Sequence, residues 1–289
     1  MTHEDMATAA RRQSFRQLHQ SGCFVIPNPW DVGSARMLQG LGFKALATTS
    51  SGFAWSRGHP DNGVTRDMAL AHLHDIVAAS DLPVNADFER GFADDAAGVA
   101  DSVRLAVETG IAGLSIEDST GDAARPLFEI DQACERLRAA RRAIDKAGGE
   151  VLLVGRAECF LVGRPDISEV VARLQAYAHA GADCLYAPGL RTREEIVAVV
   201  QAVAPRPVNL LVGSVNTMTV ADIAALGVRR ISVGGALARA AWGGFLRAAR
   251  VLAEHGSFDG FADAAPGRDL DTFFGADLQA RSVPQDGRS

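Results

Sequence analysis

The stretch Val107-Glu108-Thr109-Gly110-Ile111-Ala112-Gly113-Leu114-Ser115-Ile116-Glu117-Asp118 decides the fold. It closes a run of helical periodicity over 94–109 and stops it at Gly110, where glycine takes up the left-handed turn of a helix end without steric cost. Two residues later a short apolar strand begins, and it ends in two acids. A helix that passes so directly into a buried strand is half of a parallel βα repeat. The same punctuation returns at Gly42, Gly181 and Gly227.

Working outward, eight strand candidates emerge: Phe24–Ile26, Ala45–Thr48, Val84–Asp87, Gly113–Glu117, Leu152–Arg156, Cys184–Ala187, Val208–Val212 and Arg230–Val233. Helical periods lie between them near 31–41, 66–79, 94–109, 131–147, 167–180, 192–203, 219–226 and 236–254. Eight βα units in α/β order predict a (β/α)8 TIM-like barrel. An open doubly wound sheet would have fewer units and a GxGxxG turn after its first strand, which is absent. Residues 1–255 form one barrel domain, with 1–20 as a leading helix. Residues 256–289 form a short C-terminal extension, partly disordered over its last dozen residues, in which only Leu270–Phe274 is apolar enough to dock.

Composition excludes several classes. The chain has 289 residues, 47% hydrophobic and 22% charged, ordinary values for a globular protein with a sizeable core. Twenty-nine Lys and Arg against 35 Asp and Glu give a net charge of -6, so neither nucleic acid nor an anionic membrane is an expected partner. The densest basic stretch, Arg136, Arg138, Arg141, Arg142 and Lys146, reads as a solvated helix face. The four cysteines, Cys23, Cys134, Cys159 and Cys184, lack CxxC spacing and read as reduced, partly buried thiols. With no membrane-length apolar run and a polar start, the expected location is the cytoplasm.

In a barrel of this kind the chemistry gathers at the C-terminal ends of the strands. Strand three ends in Asp87-Phe88-Glu89, and period-two spacing lets both carboxylates face one way. Glu117-Asp118 comes from the next strand. So many acids on one rim call for a hard divalent ion, and Mg²⁺ takes one or two carboxylates together with waters and substrate oxygens. Asp87, Glu89 and Glu117 are therefore the expected metal ligands, and Asp118 either joins them or orients its neighbours. Arg156 closes strand five with a planar fork suited to a carboxylate or phosphate. The long glycine-containing loop 49–65 reads as a lid, with Ser50, Ser51 and Gly52 placed to offer backbone amides to an oxyanion.

These motifs together resemble the isocitrate lyase/phosphoenolpyruvate mutase superfamily. The likeness is carried by Pro83-Val84-Asn85-Ala86-Asp87-Phe88-Glu89-Arg90-Gly91, by Ile116-Glu117-Asp118, by Gly155-Arg156-Ala157-Glu158 and by the loop 58–65. It implies a homotetrameric lyase using Mg²⁺, with Mn²⁺ as the substitute, on a small 2-oxo acid or dicarboxylate through a metal-stabilised enolate. Asp87, Glu89 and Glu117 would hold the metal, and Arg156 the substrate carboxylate. Ser50, Ser51, Gly52, Asp87 and Asn209 would complete the substrate contacts, with Asp61 in the gate. Arg156, Asp61 and Glu117 are the catalytic candidates. The family's Lys-x-Cys-Gly-His lyase motif is replaced here by Ser119-Thr120-Gly121-Asp122-Ala123-Ala124-Arg125-Pro126. Oxaloacetate-type decarboxylation survives that loss best, since it needs only a stabilised enolate. Phosphonopyruvate/phosphoenolpyruvate P–C chemistry and a non-catalytic 2-oxo-acid binder are the alternatives.

Overall fold

The computed structural model describes residues 2–282 of the chain. Two compact units emerge, Met1–Leu237 and Ala238–Ser289. The first carries eight parallel strands: β1 (Phe24–Ile26), β2 (Leu46–Ala47), β3 (Val84–Asp87), β4 (Gly113–Glu117), β5 (Leu152–Arg156), β6 (Cys184–Tyr186), β7 (Val208–Leu211) and β8 (Arg230–Ser232). They pair in the order β1-β8-β7-β6-β5-β4-β3-β2. The Ala47 N–H donates to the Pro27 carbonyl at 3.0 Å, which draws the two ends of the sheet together. The result is the nearly closed (β/α)8 barrel that the spacing predicts.

Alternation along each strand sorts the side chains onto two faces. Leu46, Ala86, Leu114, Ile116, Leu153, Leu185, Val208, Leu210 and Ile231 belong to the large core, which they share with helix residues such as Ile76, Val103, Leu137 and Leu174. The inner face is different in kind. At its lower end Phe15, from the leading helix α1 (His3–Leu18), packs with Ile26, Ala45, Ala47, Ala112 and Leu152. Gly113 is required there, because a Cβ would stand 2.7 Å from the Phe15 ring and 2.8 Å from Asn85 Oδ1. Above this plug the inward positions turn polar.

Three expectations need amendment. The loop 49–65 is not wholly irregular: Thr49 accepts the Gly52 N–H and caps a seven-residue helix, α3 (Ser50–Ser56). Short length and the Ser-Ser-Gly start leave it no periodic signature. The basic helix α6 (Ile130–Lys146) is not solvated throughout, since Arg136 is buried. Its guanidinium donates to the Asp94 and Arg90 carbonyls and lies over the Phe128 ring. The third concerns the C-terminal stretch expected to be disordered, into which the helix α11 (Gly267–Ser282) runs; residues 283–289 lie outside the described ones. The four cysteines are free, three of them buried. Among the described residues no helix is long and apolar enough to cross a membrane.

Candidate active site

A cavity of about 650 Å³ opens at the C-terminal ends of the strands. Its lining includes Asn28, Ser50, Ser51, Asp61, Asp87, Glu117, Arg156, Glu158, Tyr186, Asn209 and Arg230. Sheet register explains how side chains so distant in sequence meet. One row of paired residues runs Glu117, Arg156, Tyr186, Asn209, Arg230 across β4 to β8. These are the fifth residues of β4 and β5, the third of β6, the second of β7 and the first of β8, so the row descends from the rim toward the floor.

Arg156 organises the rim. Its Nη1 donates to Asp87 Oδ1 at 3.1 Å and pairs with Glu117 Oε1 at 2.8 Å. Its Nε and Nη2 bind both oxygens of Glu158, and the guanidinium lies 5.0 Å from the centre of the Tyr186 ring. The remaining Asp87 oxygen accepts the Ser50 N–H at 2.9 Å and the Ser50 hydroxyl at 2.8 Å. Ser119 donates its hydroxyl to the second oxygen of Glu117 at 3.0 Å. One buried cation thus balances three carboxylates, and Asp61 stands close enough for Asp87 to help push its carboxyl up.

The electrostatics follow from this crowding. Burial raises Glu158 to about 8 against the pull of the paired Arg156, with Glu117 and Asp118 adding to the shift. Glu117 is raised by burial against the pull of Arg156. Burial also dominates at Asp61, with Asp87 second. An acidic rim with protonatable members can exchange protons near neutral pH, and the cavity lining sets Arg90 as well as Arg156 against these carboxylates.

The expected metal ligands divide. Asp87 and Glu117 meet at Arg156, whereas Glu89 lines a separate small recess with Phe53, His72 and Phe92. Period-two alternation does not reach Glu89, because β3 ends at Asp87 and Glu89 turns to φ 48°, in the left-handed region. Its Oε1 is buried without a partner, and burial, then Asp87 and Glu117, lifts its carboxyl to about 8. Among the described residues no three His, Cys, Asp or Glu side chains converge as a ready-made metal cage.

Other candidates take definite places. Asp118 faces away from the cavity: it accepts the Tyr177 hydroxyl at 2.6 Å, Arg173 Nη1 at 3.0 Å and the Glu158 N–H at 2.8 Å. It ties the helix α7 (Ile167–His179) to the barrel wall and steadies Glu158. The amides of Ser50 and Gly52 already donate within the protein, to Asp87 and Thr49. Asn209 is fully buried and bonds Arg230 and Ser232, two residues of β8. Sequence reasoning missed Glu158 as a site residue, Tyr186, and Arg230. For Arg230 the signal was faint: an arginine at the start of a strand, directly after Arg229.

A (β/α)8 barrel with a deep, carboxylate-rimmed cavity at its strand ends is the architecture of barrel enzymes that act on small molecules. The chain belongs to the phosphoenolpyruvate mutase family, whose model, Phosphoenolpyruvate phosphomutase, matches residues 15–253. Its wider group is the PEP mutase/isocitrate lyase superfamily of lyases and mutases. A Burkholderia cenocepacia J2315 structure given the provisional description lyase/mutase is 49% identical, with a TM-score of 0.90 over 93% of this chain and 98% of that one. An uncharacterised protein of Mycobacterium tuberculosis H37Rv is 35% identical over 224 residues, 76% of this chain and 81% of the relative. The oxaloacetate decarboxylase of Paraburkholderia xenovorans LB400 is 30% identical over 204 residues, 68% and 67% of the two chains.

Proposed function

We propose that this chain is a Mg²⁺-dependent carbon–carbon lyase acting on a small 2-oxo dicarboxylate, of which oxaloacetate is the simplest. The observation that carries the reading is the rim: Asp87, Glu117 and Glu158 around the single guanidinium of Arg156, with Asp61 beside them. That surplus of oxygen donors fits a hard divalent ion holding one or two carboxylates and several waters, not a three-residue cage. Asp87 and Glu117 would hold it, and the orphaned Glu89 Oε1 behind Asp87 offers an acceptor for a bound water. When bound, Mg²⁺ supplies Lewis-acid polarisation of a 2-oxo group.

The chain's own residues do the rest. Arg156 would orient the carboxylate next to the oxo group, while Asp87 and Glu117 would hold the ion. Ser50, Ser51 and Asp61 border the same cavity. No cysteine lies in 119–126, and among the described residues none lines this cavity. That favours a cleavage that needs an enolate to be stabilised and no cysteine to protonate a leaving fragment. The test is steady-state turnover of oxaloacetate and 2-methylisocitrate with Mg²⁺ and with EDTA. Loss of neither substrate in a metal-dependent manner would sink the proposal.

A further inference from the structure

The cavity has two ends of opposite charge. Its rim holds four carboxylates around Arg156, while its floor holds Arg230, which is 2% exposed and borders the same space. Arg230 Nε donates to Asn209 Oδ1 at 2.8 Å and Nη1 to Asn85 Oδ1 at 3.2 Å. These are two of a guanidinium's five N–H donors, and both acceptors are neutral amides. Among the described residues Arg230 makes no ion pair. Compare Arg173, 3% exposed, and the less buried Arg156, which both have carboxylate partners.

The surroundings deepen the imbalance. His19, at the end of α1, lies near enough for Arg230 to help burial hold its ring down to about 3, so it stays neutral and adds no charge. Burial itself pulls the guanidinium down, and no carboxylate offsets it. A buried charge without a counter-ion is costly, and Asp at either 85 or 209 would relieve it at once. Asn at both positions instead holds the guanidinium in place and leaves its charge available.

We propose that Arg230 is the floor of the substrate site, binding the far carboxylate of a 2-oxo dicarboxylate whose oxo-acid head lies at Asp87, Glu117 and Arg156. This rests on the lyase reading for the head of the substrate and adds the recognition of its tail. Asn209 and Asn85 are positioning residues for Arg230, which accounts for the fully buried Asn209 in β7.

Calorimetric binding with Mg²⁺ tests this on inert 2-hydroxy acids matched in length: L-malate against 2-hydroxybutyrate, and 2-hydroxyglutarate against 2-hydroxyvalerate, with oxalate as a head-only reference. In at least one pair the dicarboxylate binds the wild-type protein about 10- to 100-fold tighter, the size of a charge-assisted contact. Arg230→Met shrinks that gap to about threefold or less while oxalate affinity is kept, and Arg230→Lys restores part of it. A merely structural arginine would alter all ligands alike. Equal affinity within both wild-type pairs overturns the proposal even if Arg230→Met fails to fold, as does a gap that persists in the variant. Dicarboxylate selectivity without turnover of any 2-oxo acid would leave the floor site standing and defeat the lyase reading. Absence of binding by every ligand, oxalate included, overturns both.

Discussion

Asp118→Ala separates a carboxylate that holds the barrel from those that act in it. Asp118 sits next to Glu117 in sequence, yet it faces the helix layer and bonds Arg173, Tyr177 and the Glu158 amide. Arg173 is 3% exposed, so removing its partner leaves a guanidinium buried with only Glu169, the Phe128 carbonyl and the Tyr177 hydroxyl nearby. Breaking a buried pair from one side costs about 3–5 kcal/mol. Glu169 at 3.0 Å retains part of the attraction, so the lower end, about 3 kcal/mol, is expected. For a unit of this size each kcal/mol moves the midpoint by about 2–4 °C, which gives a fall of about 6–12 °C. Differential scanning calorimetry measures it, alongside turnover at a temperature where the variant is folded. Turnover should fall by about tenfold or less, because the variant only loosens Glu158. A midpoint within about 1 °C of wild type, or lost turnover at unchanged stability, would refute the structural role of Asp118.

Asp87→Asn reverses that pattern. The amide keeps the shape but sets an NH2 against a donor, Arg156 or Ser50, so stability falls by about 1–3 kcal/mol, while Mg²⁺-dependent turnover drops by about 10²-fold or more. Acid sensitivity gives another test. His19 and His72 are held down to about 3 and about 4, in both cases chiefly by burial. Above their ordinary pKa of about 6.5 both rings are neutral folded or unfolded and contribute no slope. As pH falls below that value the unfolded chain takes up protons first, so stability drops by roughly 2–3 kcal/mol per histidine by pH 4.5. Glu89 and Glu158, raised to about 8, gain stability over the same fall in pH, so urea midpoints from pH 7 to 4.5 should fall less steeply or rise in His19→Gln/His72→Gln, and an unchanged slope would exclude these rings as contributors.

Much of this architecture was legible because period and punctuation agree. The bounds of β1, β3, β4 and β5 coincide with the apolar runs that predict them. The site was legible only where a strand still governed direction. Asp87, Glu117 and Arg156 are the last residues of their strands, so alternation aims them inward. Glu89 lies two residues past the end of β3, and its positive φ breaks the rule that placed it with Asp87. Asp118 lies one residue past β4, and alternation alone would have turned it outward, as it is. Arg230 was hidden for another reason: it opens its strand, where a barrel's interior is usually read as apolar filling. Only the descending register row shows that the first residue of β8 shares a cavity with the last residue of β5.

That row also explains how the fold tolerates so much buried charge. The large apolar core lies outside the strands, between Leu114, Leu153, Leu185 and their helices. Inside, the plug around Phe15 and a small cluster of Val154, Cys184 and Tyr186 are apolar. Cohesion on one face of the sheet leaves the other free to hold Asp87, Glu117, Arg156 and Arg230 with their charges imperfectly matched. An imbalance of this kind costs stability in the empty protein and is relieved by a ligand that carries the missing charges, a cation at the rim and an anion at the floor. The binding strength of the site and its strain when empty therefore have one source. It follows that Mg²⁺ and a dicarboxylate together should raise the midpoint of the wild-type protein more than the sum of their separate shifts. With Arg230→Met that excess should shrink to the one a head-only ligand such as oxalate gives, while the Mg²⁺ shift alone remains. An excess undiminished by the substitution would place the missing anion's partner elsewhere in the barrel.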